Sequence, residues 1–578
     1  MEVKVVSHAN GNFNVVEPTC LLERGYGKSP LPSYRKRSIL LLSTSITGLS
    51  NLNPMVSFPK VTRGAHVTML PISTLTEKSS ENLVIVGISS LVLLFAASRL
   101  KTAKRGSTDK RAKIHVPDST LPLIESTWDL LIHGVKGDMH DFTTRLGKQF
   151  NAEPIVIRAL GIPRNIILFT PEAFEDVLKT QFHNFEKGPF MCENLRDLLG
   201  DGIFAVDGDP WVHQRKTASH LFTMRTLRES MTTVIQRHAV TLHAILQRAC
   251  DNHNTLDLFK LFNRFTIEAF AEIGFGVHMG CLDSDKEHPF QKSFDRAQRA
   301  LRFRFTRPGV EGQLRRDIEV IDKTVMDIVE KALSHGKDEE KKGTDIVSLF
   351  LDKTPKSHQF DPNYLRNIVV NFLIAGRDTT AQALSWFFVN LSKEPREEAA
   401  IRKEIEDKLS TLKAGGVPAM QDVSELVYLE AALKETLRLH PSVPFEPKQA
   451  REDTTLSDGT FVPAGSAIGL ATYSMGRMTQ VWGPDAEEFK PERWIDSTSG
   501  KVIAVSAYKF ASFNAGPRVC LGMNLAMLEM KLVIVGLLSR FHVEVVSPKE
   551  VTCDLSLTLP VKGALNVKVS RHLWPAHA

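Results

Sequence analysis

Twenty-three consecutive residues, VVNFLIAGRDTTAQALSWFFVNL from Val369 to Leu391, constrain this chain more than any other stretch. As a helix the run would be about 35 Å long. Apolar residues fall on nearly every face, so other elements must wrap it on all sides. A fold that encloses such a helix is expected to be large and mainly helical. In its middle stand Asp378, Thr379 and Thr380, which are costly in an apolar wall unless they have partners or a task. A mid-helix Thr can bond a carbonyl one turn back and bend the helix, which would open a polar notch.

The remainder of the 578 residues is of ordinary globular composition, 42% hydrophobic and 24% charged. A net charge of +6 over this length does not argue for nucleic acid. Six cysteines, Cys20, Cys192, Cys250, Cys281, Cys520 and Cys553, are scattered with no C-x-x-C pair. Neither a disulfide framework nor a zinc-ribbon spacing is present. Most are expected to be small buried hydrophobes.

A second apolar run, LVIVGISSLVLLFAAS from Leu83 to Ser98, carries no charge. At about 24 Å as a helix it is short for a bilayer, and its neighbours extend it to residues 83–100. The segment Arg99–Lys113 follows with a dense set of Lys and Arg. This bias predicts a single-pass anchor with everything after it in the cytosol. Residues 1–68 show no sustained periodicity and carry more Lys and Arg than Glu. They read as an irregular extension, a mis-assigned start ahead of Met69, or a targeting peptide. Residues 69–82 form a short lumenal segment, 101–118 a basic linker, and 119–578 one large domain with small peripheral sheets.

Within that domain, Glu153–Gly161 alternates as a strand and Asn165–Thr170 reads as its hairpin partner. Pro171 opens a helix. Gly459–Leu470 reads as strand, turn and strand. GDGIFA, Gly200–Ala205, matches a dinucleotide fingerprint, but the residues before it look helical, so the strand that motif needs is missing. No segment offers a flavin or nicotinamide site, so any reducing power the chemistry needs must come from another protein.

Near the C-terminus, FNAGPRVCLG runs from Phe513 to Gly522 and leads directly into the helical pattern Leu521–Phe541. A metal-binding thiol must be a thiolate, and a helix N-terminus, N–H donors and a nearby cation lower its pKa. Cys520 has that context. Gly516 and Gly522 permit the close turns that aim N–H groups at sulfur, and Arg518 can pair with an anionic cofactor edge.

The string F-x-x-G-x-R-x-C-x-G resembles the signature of the heme-thiolate monooxygenases, the cytochrome P-450 family, and is complete in Phe513, Gly516, Arg518, Cys520 and Gly522. Other motifs follow in the family's order. The resemblance implies the P-450 fold, mainly α with small β-sheets, carrying one N-terminal membrane helix. It implies heme b with Cys520 as the iron ligand. AGRDTT places Ala375 at the notch and gives Asp378 and Thr379 the delivery of protons to dioxygen. KETLRLHP and PERW supply Glu435, Arg438 and Arg493, a buried structural triad. WVHQR supplies Trp211 and Arg215 for a heme propionate, and Lys448 stands where many members carry a second propionate-binding Arg. A membrane NADPH–cytochrome reductase is the implied electron donor. Lys434, Lys509 and Lys531 are candidates for its docking surface.

LLGDGIFAVDGDPWVHQRKTASHLFT, YSMGRM and TLPVKG resemble the plant-type fatty-acid ω-hydroxylase clan. That resemblance implies a long apolar channel, with Phe445 and Leu559 lining it, and the mixture of Phe and Arg in RALRFRFTRP, Arg299–Pro308, suggests Arg302 and Arg304 at its mouth to meet a carboxylate. It also implies the endoplasmic reticulum membrane. An alkane or sterol hydroxylase is an alternative, as is a heme-thiolate hydroperoxide isomerase or dehydratase. The Asp378–Thr379 pair disfavours the isomerase and also a non-catalytic heme sensor.

Overall fold

In the computed structural model of the chain the Val369–Leu391 run lies inside a 30-residue helix, Pro362–Leu391. Asp361 caps it by accepting from Asn363 N at 2.9 Å, and Pro362 occupies the first turn, where its missing N–H costs nothing. Nearly every residue from Ile368 to Leu391 is buried, as an all-round apolar helix requires. The structure describes residues 114–572 apart from 122, 285, 304–308, 336–344, 354–360, 410–411 and 413–415. All of them belong to one unit.

The helices that build the site are, in chain order, α1 (Gly208–Ser219), α2 (Thr232–Asp251), α3 (Leu258–Phe275), α4 (Pro289–Phe303), α5 (Pro362–Leu391), α6 (Val427–Leu439) and α7 (Met523–Leu538). The central α5 packs against α3, α6 and α7. The α3–α5 contact is tight at Gly376, where an added Cβ would stand 2.1 Å from the Phe270 ring. Thr266 on α3 also donates to the Arg377 carbonyl at 2.9 Å. One continuous hydrophobic core joins these helices.

The sheets are small and peripheral. Strands β1 (Ile155–Ala159) and β2 (Ile162–Leu168) pair antiparallel with Ile155 opposite Ile167, forming the hairpin the alternation predicts. With β3 (Phe185–Glu186), β5 (Glu446–Ala450) and β8 (Ala467–Leu470) they form a five-stranded sheet, order β1-β2-β8-β5-β3. A second sheet joins β4 (Leu256–Asp257), β10 (Asn566–Arg571) and β9 (Phe541–Val545). The Gly459–Leu470 segment does not fold back on itself. Its first strand, β7 (Phe461–Val462), pairs with β6 (Thr454–Thr455), while β8 runs parallel to β2 in the large sheet.

The helix opened by Pro171 ends at Glu175 and continues as a π turn over Asp176–Thr180. GDGIFA is a turn after the helix Gly188–Leu199. Its glycines are explained by packing, because a Cβ at Gly202 would lie 2.0 Å from the Asn371 side chain of α5. The expected anchor, residues 83–100, lies outside the described residues. Among the described residues no helix is long and apolar enough to cross a membrane.

Candidate active site

A cavity of about 630 Å³ lies between α5 and the loop that precedes α7. Thr379, Ala375 and Gly376 contribute to one wall, and Phe513, Arg518, Cys520 and Gly522 to another. Trp211 and Arg215 from α1, Lys448 and Phe445 also line it.

The Cys520 loop is held by its backbone. Cys520 N donates to the Phe513 carbonyl at 2.8 Å. Gly516 has φ +63°, and a Cβ there would meet the Leu178 carbonyl oxygen at 2.1 Å, so glycine is required twice over. Gly522 differs from the expectation. Its φ of −88° suits any residue, and an added Cβ would only touch Phe222 at 3.6 Å. Cys520 is accessible because it faces the cavity, yet protein surrounds it closely. Burial pushes its thiol up, while the Gly522 N–H and Arg215 pull it down. The expected low pKa is therefore overridden by desolvation in the protein alone, and a cation at the sulfur would have to complete the deprotonation.

Around the rim the charge is mixed and largely cationic. Arg518 pairs with Asp207 at 2.5 Å and lies 4.3 Å from the Trp211 ring centre. Arg215 donates to the Val519 carbonyl at 2.7 Å and lies over the same Trp211. Lys448 contacts Glu446 at 2.7 Å, and Asn514 donates to the other Glu446 oxygen at 2.6 Å. Burial pushes Glu446 up, but Lys448, Lys187 and Arg518 outweigh it and hold the carboxyl at about 2. Lys187, absent from the sequence expectations, lies on the same wall, lowered to about 8 by burial and by Lys448. The buried Arg518 Nε has no hydrogen-bond partner among the described residues. Four cations against Asp207 and Glu446, with an unused guanidinium N–H and an accessible sulfur, fit a planar dianionic metallo-tetrapyrrole.

On the α5 side, Thr379 Oγ donates to the Ala375 carbonyl one turn back, at 2.7 Å, and Ser442 donates to the Thr379 carbonyl at 2.8 Å. Asp378 does not line the cavity. It accepts from Gln298 of α4 at 2.7 Å and pairs with Arg377 at 2.9 Å. Arg377 in turn reaches Asp295, about one-third exposed, at 2.8 Å. Burial pushes Asp378 up to about 6, with Arg377 opposing and Asp295 adding to the rise. Neither Gln298 nor Asp295 stands out in the sequence, since both look like ordinary polar positions on an amphipathic helix.

Glu435, Arg438 and Arg493 are brought together behind this cavity. Arg438 grips Glu435 with two hydrogen bonds of 2.7 Å. Arg493 Nε and Trp494 Nε1 donate to the same carboxylate at 3.3 and 2.9 Å. The remaining Arg438 protons go to the Ala486, Gly476 and Glu488 carbonyls.

Residues 120–567 match the cytochrome P450 family model. The chain belongs to the cytochrome P450 family. It is 37% identical to cytochrome P450 86B1 of Arabidopsis thaliana over 69% of this chain and 76% of that protein. It is 36% identical to cytochrome P450 94C1 of the same plant, over 75% and 89% of the two chains. The crystal structure of the cytochrome P450DA heme domain shares the fold, with a TM-score of 0.68 at 20% identity, covering 78% of this chain and 97% of that one.

Several P450 expectations need correction. Leu559, expected along the channel, does not line the cavity. Trp386 Nε1 donates to its carbonyl at 2.9 Å, and its N–H is shared between the Ser442 carbonyl and the Gln382 side chain. That clamp leaves the side chain fully buried in the core, and Leu555, Ser556, Leu557 and Thr558 line the cavity instead. Arg302 lies on α4 with its side chain outside the described residues, and Arg304 is outside them entirely. Lys531 is 9% exposed and bonded to Glu430 at 2.9 Å, which removes it from a docking surface. Lys434 shares Glu430 at 3.1 Å, and Lys509 lies 4.6 Å from the Trp482 ring centre.

Proposed function

We propose that this P450 would hold heme b through the Cys520 sulfur and insert one oxygen atom from O2 into the terminal C–H bond of a long-chain fatty acid. Electrons would come from NADPH through a separate reductase. The observation that carries this reading is the shared cavity. It has Cys520, the one cysteine among the described lining residues, on one side, the Thr379 hydroxyl on the other, and Phe, Leu and Ile side chains between.

When bound, the heme supplies oxygen activation, and a thiolate ligand favours O–O cleavage. The chain's own residues supply the rest. Arg215, Arg518 and Lys448, joined by Lys187, would neutralise the propionates, and the neutral Trp211 would offer them an indole N–H. Phe513 and Gly522 would line the ring's side of the cavity. Thr379 presents a hydroxyl to the cavity, and Asp378, raised to about 6 by burial, can hold a proton beside it in the helix below that pH. Ala375 and Gly376 keep the notch open for a small molecule. The apolar lining, including Phe445, excludes water and restrains the alkyl chain. Restraint has to set the regiochemistry, because the terminal methyl carries the strongest C–H bond of the chain. Arg302 and Arg304 are assigned to the substrate carboxylate. The run 83–100 would anchor the protein in the endoplasmic reticulum membrane with the catalytic domain in the cytosol.

Product analysis with a fatty-acid panel and an added reductase tests the reading. Terminal alcohols that need both reductase and NADPH are expected. Conversion of a sterol or alkane with no turnover of any fatty acid would overturn the substrate assignment. A ferrous carbon monoxide spectrum typical of histidine ligation would overturn the role of Cys520.

A further inference from the structure

Away from the cavity, α2 and α3 bring together two histidines and two glutamates. His238 on α2 places Nε2 2.7 Å from Glu272 Oε2 on α3. Gly276, in the left-handed region at φ +67°, ends α3 and turns the chain so that His278 comes back over the same carboxylate, with Nε2 3.6 Å from Glu272 Oε2. The three ligand atoms lie within 4.8 Å of one another. A tetrahedral ion with bonds of about 2.0–2.1 Å needs ligand atoms about 3.3 Å apart, and 2.7 and 3.6 Å bracket that edge.

The surroundings support ligation. When His278 Nε2 faces Glu272, its Nδ1 lies 3.6 Å from Glu268 Oε1, which places a second carboxylate on the far side of the ring, beyond hydrogen-bond distance. Glu268 is itself fixed, accepting from Met279 N at 2.9 Å and Cys281 N at 2.6 Å. Arg237 pairs with the other Glu272 oxygen, leaving Oε2 for the histidines. His238 is 8% and His278 63% exposed, so one ligand is anchored and the other opens to solvent, with room for water as a fourth ligand.

We infer that His238, Glu272 and His278 form a divalent transition-metal site, with zinc the best match, that clasps α2 to the turn after α3. Two imidazoles and one carboxylate suit zinc and exclude a calcium or magnesium site, which takes oxygen donors.

The test uses the full-length holoenzyme, freed of loose metal by chelation and dialysis. Zinc titration is followed by calorimetry and by thermal unfolding. One tight equivalent that raises Tm is expected. His278→Ala removes an exposed ring, so it should fold, and should weaken that equivalent about tenfold or more. Glu272→Gln should do the same, whereas His220→Ala should leave it unchanged. Equal zinc affinity in the wild type and His278→Ala would overturn the site. Magnesium competing on equal terms with zinc would overturn it too.

Discussion

Gln298 of α4 donates a 2.7 Å hydrogen bond to Asp378 of α5 on the side away from the cavity. The acid of the AGRDTT motif is thus tied to the neighbouring helix, while the adjacent Thr379 meets the cavity. Two neighbours in sequence face two environments, and their substitutions should separate.

Thr379→Ala should leave the protein folded and keep NADPH consumption going, while reduced oxygen leaves as peroxide. Measuring peroxide against hydroxylated product decides it. A product-to-peroxide ratio equal to that of the wild type would remove Thr379 from the chemistry.

Asp378→Asn should slow product formation by about a hundredfold, the lower range for loss of a positioned acid. Burial raises the Asp378 carboxyl to about 6, so it holds its proton below that pH and loses it above. Coupling of electrons to product should fall as pH rises through about 6 in the wild type. The Asn variant should show no such inflection in a pH series of coupling measurements.

Glu435→Ala would strand the Arg438 guanidinium, which is 1% exposed at its side chain. Leaving a buried charge without its partner costs about 3–5 kcal/mol. Urea unfolding should show a loss of that size, together with a reduced yield of the ferrous carbon monoxide complex.

Gly516→Ala and Gly522→Ala should behave differently. The first puts a Cβ at φ +63° onto the Leu178 carbonyl, with backbone strain of about 1–3 kcal/mol before the clash is counted, so Tm should drop. The second meets little protein, so Tm of the heme-free protein should hold while heme content falls. Full heme content in Gly522→Ala would show that no bound ring lies against this position.

Glu529, 4% exposed on α7, is pushed up to about 8 by burial alone. Its unfolded carboxyl would titrate near 4.5, so the folded state holds a proton that unfolding releases between those values. Stability should therefore decline by a few kcal/mol as pH rises from about 4.5 to 8. Glu529→Gln should flatten that slope in thermal melts across the same window.

Much of this was legible in the sequence for a physical reason. The all-round apolar run ending at Leu391 admits only a buried helix, and the Cys520 loop states its turns through Gly516 locally. The Thr379–Ala375 bond is likewise a one-turn relation within a single helix. What escaped depends on contacts between distant segments. Lys187, Asp207 and Glu446 belong to three separate pieces of chain, and no spacing within any of them signals a shared charged rim. Gln298 becomes special only because α4 lies against α5. Leu559 stays out of the cavity lining because distant Trp386 and Gln382 hold its backbone, a contact its own neighbours do not signal. Residues 83–100 lie outside the described residues, so the anchor stands on apolarity and flanking charge.

The separation of Thr379 from Asp378 bears on inhibitor design. A molecule filling the cavity touches Thr379 and has no surface in common with Asp378. Resistance substitutions that act by contact should therefore arise around Thr379, Ala375 and Phe445. A change at Asp378 would impair turnover while leaving the inhibitor's affinity intact.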